Sequence, residues 1–252
     1  MLVLLPPSET KTAGGKPGTS LDIGQLSFPV HNAVRSALLE QVVELSGDEA
    51  AALKALKLGP KGAPEVQRNR DVLSSPVLPA LERYTGVLFD ALDLSSLPPR
   101  AHSWVMDTVA VFSALLGAIR ASDLIPAYRL SFDSKLSGGP LASQWAAVGN
   151  ALWDEVPGFV LDLRSEGYRK LAPVPADRGV FVALVKEGAL GSRPALGHAN
   201  KSVKGRLVRA LAESGAQLEG VQDVVSWGES HGYHWDVDSL REGVMDLVIS
   251  GS

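Results

Sequence analysis

Residues 104–136, WVMDTVAVFSALLGAIRASDLIPAYRLSFDSKL, decide how the rest of the chain is arranged. The stretch opens on an apolar, largely β-branched run, Val105, Val109, Val111 and Phe112, which predicts a strand buried on both faces. A turn follows at Gly117, and Arg120, Asp123, Tyr128 and Arg129 then gather around Pro126. Loops leaving the ends of buried strands are where α/β proteins present polar groups to a ligand, so these four residues are candidates for a site. Pro126 stiffens the turn, and the Arg129 guanidinium should point in a defined direction. The alternative is a local ion pair between Arg120 and Asp123, with Arg129 simply in water.

Outward from this stretch, apolar runs alternate with polar clusters. On its N-terminal side, residues 2–5 (Leu-Val-Leu-Leu) predict a first buried strand, stopped by Pro6-Pro7, with Ser8, Glu9, Thr10 and Lys11 at its C-terminal end. Residues 12–18 read as a mobile loop. Helical spacing over 27–46 places Val34, Leu38, Leu39, Val42 and Leu45 on one stripe. Asp48 caps a further helix, which runs into Gly59-Pro60-Lys61-Gly62 and another helix from about Pro64. This element, about 48–75, resembles a helix-hairpin-helix, in which backbone N–H groups at a helix N-terminus hold a phosphate without reading bases. Lys54, Lys57, Lys61, Arg68 and Arg70 would supply the charge, and a solvated basic face is the alternative. Arg83-Tyr84-Thr85-Gly86 precedes another apolar run, and 97–100 is a proline-rich turn.

On the C-terminal side, 141–153 predicts a helix with Trp145, Val148, Leu152 and Trp153 buried. Residues 159–163 predict a strand that ends in the polar run Arg164-Ser165-Glu166-Gly167-Tyr168-Arg169-Lys170, and Gly179–Lys186 predicts another. Residues 198–213 form a second basic stretch, with Lys201, Lys204, Arg206 and Arg209 on an amphipathic helix, and Leu247, Val248 and Ile249 predict a last strand. Neither an internal repeat nor a long linker marks a domain boundary, so residues 1–252 are expected to form one domain.

The totals bound the chemistry. At 252 residues the chain can bury a full core without staples. The absence of cysteine removes disulfides, thiolate nucleophiles and Cys-ligated metal sites. A net charge of -4 gives no global attraction to nucleic acid, so any such binding needs a local basic patch. The opening apolar run meets proline too early for a signal peptide, and no window is apolar enough to span a bilayer, so a cytoplasmic protein without a membrane partner is expected. P-loop, GxGxxG, GxSxG and HExxH signatures are lacking. Glu229, His231, His234, Asp236 and Asp238 could offer hard ligands to iron or manganese, but their spacing fixes no geometry, and a plain polar loop is the alternative. No cofactor is expected.

Taken in order, PPSETK at 6–11, RYTG at 83–86, SALLGAIRASDLIPAYRL at 113–130, LRSEGYRKL at 163–171, NKSVKGRLVRAL at 200–211 and GYHWD at 232–236 resemble the peroxide stress protein YaaA family over nearly the whole chain. The chain departs from the family pattern at Leu116, Ala121 and Gly167. The resemblance implies an α/β (α+β) fold, a single compact domain with a mixed β-sheet and surrounding helices. It further implies a basic cleft able to bind double-stranded DNA without sequence preference, and a link to limiting iron-dependent oxidative damage under peroxide stress. The cleft residues it implies are Lys11, Arg83, Arg120, Asp123, Tyr128, Arg129, Ser165, Tyr168, Lys201, Lys204 and Arg206. Two further readings stand beside DNA binding. One is an enzyme acting on a small anionic substrate, nucleotide- or nucleobase-like, with Lys11, Asp123, Tyr128 and Arg129 as catalytic candidates. The other is iron held by His231 and His234.

Overall fold

The apolar runs pair into one mixed sheet. A computed structural model describes residues 1–186 and 199–249. Its strands, in chain order, are β1 (Leu2–Leu5), β2 (Leu78–Pro79), β3 (Val109–Ser113), β4 (Gly117–Arg120), β5 (Leu124–Ile125), β6 (Val160–Asp162), β7 (Gly179–Lys186), β8 (His234–Arg241) and β9 (Val244–Ile249). Seven of them form a sheet ordered β4-β3-β1-β6-β7-β9-β8, while β2 and β5 make a separate two-stranded ribbon. Strands β3, β1, β6, β7 and β9 run parallel, and antiparallel β4 and β8 close the two edges. Every residue of β1, β3 and β6 is buried, as strands covered on both faces must be, whereas the edge strand β8 is largely exposed. The architecture is the mixed α/β sheet with surrounding helices that the family resemblance implies.

Gly117 is the hinge of the central stretch. Its φ of +64° lets the chain reverse tightly from β3 into β4, and a side chain there would strike the His31 ring and Trp145, each 2.7 Å from the missing Cβ. Buried Arg35 holds the reversal by donating to the carbonyls of Leu116 and Ala118, both at 2.7 Å, and Trp145 donates to Ala114 O at 3.0 Å. The reversal corrects one expectation. Residues 104–108 are not strand but the end of the helix Pro99–Thr108, with Ala101, Trp104, Val105 and Thr108 on its buried face, and the strand begins only at Val109. The proline-rich turn at 97–100 correspondingly contains that helix's first residues, because proline is suited to the first helical position.

Other helices follow their signals with shifted ends. Helix Asn32–Ser46 is preceded by the 3-10 turn Pro29–His31, so the stripe begins later than residue 27. Asp48 caps Glu49–Ala55 by accepting from Ala51 N at 3.1 Å. A 3-10 turn, Pro60–Gly62, then leads into Ala63–Arg70. Residues 141–153 form two short helices rather than one, Leu141–Trp145 and Ala151–Asp154, separated by a turn in which Gly149 takes a φ of +56°. The loop 12–18 is tied down, with Lys16 N donating to Val77 O at 3.1 Å. Among the described residues no helix is long and apolar enough to cross a membrane.

The basic stretch forms the helix Ala199–Ser214, and His198 lies outside the described residues. Gly205 sits mid-helix, where glycine costs about 1 kcal/mol relative to alanine. Close packing explains it: a Cβ at Gly205 would lie 2.2 Å from Leu88 O, so only glycine lets this helix press against Val87–Leu92. That approach brings Lys201 and Lys204 over the ends of β6 and β7.

Candidate functional site

Parallel strands end together, and in this sheet the chain after β1 and β6 diverges to open a crevice. The crevice is a cavity of about 710 Å³. Its walls include Pro6 to Thr10 after β1, Thr85 to Phe89, Phe132, Arg164 to Glu166 and Tyr168 after β6, Phe181 to Val185 of β7, and Asn200, Lys201 and Lys204. Apolar and aromatic side chains make up most of this surface, and the polar groups fall into separate clusters.

One cluster lies at the foot of the helix Ala199–Ser214. Lys204 is buried and donates to Arg164 O at 2.9 Å. Loss of water pulls its amine down to about 8, against the opposing attraction of Asp162 and Glu166. Arg164 is itself fully buried, and its guanidinium is spent on Asp162 through paired bonds of 2.8 and 2.7 Å and on the carbonyls of Tyr168 and Ala172. Exposed Ser165 and Lys201 stand at the mouth.

A second cluster adjoins the cavity wall behind Glu9 and Thr10. Lys11 is buried with its Nζ 4.1 Å above the Tyr128 ring, donating to Ser8 O at 2.8 Å. Burial and then the neighbouring Arg129 bring its amine down to about 7. Arg129 forms an ion pair with Glu9, a cavity-wall residue, and Asn69 fixes its backbone from both sides at 2.7 and 2.8 Å. Beneath Lys11 runs a buried hydroxyl chain. Ser113 Oγ accepts from Leu115 N and Leu116 N at 3.1 and 2.9 Å, so its own proton is free to go to Tyr128 Oη, 2.6 Å away. Tyr128 in turn lies 2.8 Å from Tyr84 Oη. Burial raises the Tyr128 phenol to about 12 and pushes those of Tyr84 and Tyr168 up as well.

The structure therefore brings Lys11, Tyr128, Arg129, Ser165, Tyr168, Lys201 and Lys204 to the crevice or its immediate wall. Others it places elsewhere. Because β4 runs antiparallel to β3, with Arg120 opposite Ala110, Arg120 and Asp123 arrive at the opposite end of the sheet. There Arg120 donates to Asp107 O at 2.8 Å, and the Asp123 carboxylate accepts from Ser27 N, Ser27 Oγ and Arg120 N, a scaffolding knot rather than a cleft. Arg83 is fully buried and staples the carbonyls of Ile125, Thr12 and Pro76. Arg206 faces away from the crevice, toward a smaller cleft with Tyr233 and His234. His231 closes the helix Val221–His231, its Nδ1 at 2.7 Å from Trp227 O, and His234 opens β8. Among the described residues no group of three or more His, Asp or Glu side chains could hold a metal ion.

On the hairpin, Lys57 pairs with Asp133, next to the wall residue Phe132, and Arg68 pairs with Glu65 at 2.5 Å. Lys54 and Lys61 are exposed. Sequence reading passed over the Asp162–Arg164 pair, the Ser113 and Tyr84 hydroxyls, and Asn69. The signal was present for two of these, since Ser113 ends an apolar strand and Asp162 interrupts one. Nothing local marks Asn69, and Tyr84 stood out only as part of the RYTG run.

The comparisons with known proteins agree with the resemblance. The family model described as "Peroxide stress protein YaaA" matches residues 1–239. A UPF0246 protein of Corynebacterium glutamicum is 40% identical over 254 aligned residues, covering 99% of this chain and 100% of the relative. One from Streptomyces coelicolor is 40% identical over 247 residues, covering 96% and 95%. A more distant UPF0246 protein of Bordetella petrii is 26% identical over 236 residues, covering 88% and 90%. With this match running through every strand that builds the crevice, the chain belongs to the peroxide stress protein YaaA family.

Proposed function

We propose that the crevice binds a small anionic molecule, nucleotide- or nucleobase-like. The observation that carries this reading is the cavity itself: about 710 Å³, walled mainly by apolar and aromatic side chains, with the buried amine of Lys204 at one end. Small-molecule sites have this make-up, whereas a duplex groove needs a continuous basic surface. Thermal melting of the full chain against nucleotides and nucleobases tests the reading, because a ligand that binds only the folded state raises the midpoint with its concentration. A raised midpoint that Lys201→Glu abolishes supports it. No shift with any member of the panel at millimolar concentration overturns it.

A second reading, sequence-independent binding of double-stranded DNA, draws support from the hairpin. Lys54 and Lys61 are exposed beside the turn that opens the helix Ala63–Arg70, and among the described residues neither side chain has a hydrogen bond or ion pair. In this reading the protein shields duplex DNA from iron-dependent oxidative damage, in keeping with the family's peroxide-stress role. Each neutralised phosphate contributes a slope of about -0.9 in log affinity against log salt. Lys54→Glu with Lys61→Glu should weaken binding alike for unrelated duplexes and flatten that slope in a mobility-shift titration. Unchanged binding would make the hairpin purely structural.

A further inference from the structure

The crevice has two polar ends of different character. At the helix end, Lys204 is 5% exposed and donates to a carbonyl, but among the described residues it has no carboxylate bonded to it. Asp162, the nearest buried acid, is already committed to Arg164. Lys201 lies one helical turn earlier on the same face and also lines the cavity. A buried ammonium with spare donors is stabilised by an anion that reaches it. At the other polar cluster no cation among the described residues lines the wall. Instead the hydroxyls of Ser8, Thr10 and Thr85 form a cluster, with Thr10 Oγ1 3.1 Å from each of the other two. Hydroxyls donate and accept, so they can match an uncharged polar edge of either sense. The rings of Phe89, Phe132 and Phe181 line the same cavity. Phe132 is 40% exposed at the rim, where it meets Tyr168 edge-on at 5.4 Å. Aromatic faces of this kind stack flat heterocycles with little regard to their identity.

Resting on the reading that the crevice is a small-molecule site, we infer that its ligand class is the nucleoside monophosphate: one phosphate monoester on Lys201 and Lys204, a flat base among the phenylalanine rings, and uncharged polar edges at the hydroxyl cluster. The charge balance limits the head group. Two lysines face it, Glu166 opposes them on the same wall, and the Arg164 charge is consumed internally. That balance suits one phosphate monoester. A triphosphate would bring further negative charges, and among the described residues no cation lines the hydroxyl cluster to meet them and no carboxylate or imidazole cluster could hold a metal to offset them.

Calorimetry on the full chain separates the possibilities, with adenosine and cytidine 5′-monophosphates, the parent nucleosides, ATP and indole-3-acetate as probes. The monophosphates should bind at least about tenfold more tightly than their nucleosides, and more tightly than ATP, because a charge-assisted contact to a desolvated amine adds about that much. Lys201→Ala should erase most of the preference while leaving nucleoside affinity in place, and Thr10→Val should weaken monophosphate and nucleoside by the same factor. Lys204→Met removes a bond to the Arg164 carbonyl and can unfold the protein, so the exposed Lys201 carries the test. Nucleosides binding as tightly as monophosphates, ATP binding more tightly than either, or an undiminished preference in Lys201→Ala overturns the inference. Should indole-3-acetate alone bind, and be released by Lys201→Ala, the monophosphate class falls while the small-molecule site stands. If no probe binds, both fall.

Discussion

The Asp162–Arg164 pair under the crevice and the Lys57–Asp133 pair on the hairpin are the same chemistry in two solvents. Both side chains of the first are 0% exposed, whereas those of the second are 56% and 40% exposed. Arg164 also satisfies the carbonyls of Tyr168 and Ala172, so the pair organises the backbone that leaves β6 toward the cavity. The hairpin pair has water as an alternative partner for each ion. Burial therefore separates a cation that shapes a site from one that decorates a surface, although sequence alone shows a basic residue and an aspartate in both places.

The sharpest way to break this contrast is to remove one ion from each pair. Asp162→Ala leaves a guanidinium buried without its carboxylate and should cost about 3–5 kcal/mol in urea denaturation. A loss as small as a surface pair's would mean that water reaches Arg164 and that the floor of the crevice is not dry.

Next in size is a pH dependence rooted in the crevice and its wall. The unfolded chain holds the Lys11 proton up to about the ordinary 10.5, but the folded protein holds it only up to about 7. Between those values unfolding takes up a proton, so stability rises with pH across the window; below about 7 the penalty for burying the charge is fully present. Lys204 acts in the same sense between about 8 and 10.5. Denaturation curves at about pH 6.5 and about pH 9 should therefore show the protein more stable at the higher value, and Lys11→Met should flatten the difference. An unchanged pH dependence in Lys11→Met would show that its amine is in contact with water.

A smaller effect belongs to the hydroxyl chain. Tyr128→Phe keeps the ring under Lys11 but strands the Ser113 and Tyr84 hydroxyls, at a cost of about 1–2 kcal/mol measured by thermal melting. A neutral result would mean that water replaces the lost oxygen. The smallest change should come from Asp133→Ala, the partner of Lys57 on the hairpin, below about 1 kcal/mol and vanishing in high salt. If that variant matched Asp162→Ala, the contrast between the two regions would be wrong.

Much of the fold was legible because burial on both faces writes itself as uninterrupted apolar residues. Strands β1, β3, β6, β7 and β9 could be seen in 2–5, 109–112, 159–163, Gly179–Lys186 and 247–249 on that ground alone. Strand β8 could not, since an edge strand open to water keeps His234, Asp236 and Asp238 and resembles a polar loop. The helix Pro99–Thr108 was misread at its end because Trp104 and Val105 are apolar for a helix face as well as for a strand. In the crevice, the clusters following β1 and β6 were visible as polar residues at the ends of apolar runs, while Lys11, Ser165 and Tyr168 were singled out by the family resemblance.

Sequence by itself determined the residue types: which segments must be buried, where glycine and proline turn the chain, and which cations exist to be used. Tertiary structure alone decided which cations share a site. Arg120 and Arg129 stand nine positions apart in one segment, yet the hairpin at Gly117 sends the first to the far end of the sheet, and the return through β5 brings the second back beside Lys11. Lys204 and Arg206 are two positions apart on one helix, and its periodicity turns one into the crevice and the other away from it. The physical reason is that charge acts through distance and dielectric in space, and both are set by how strands reverse and helices rotate, which neighbouring letters in a sequence do not specify.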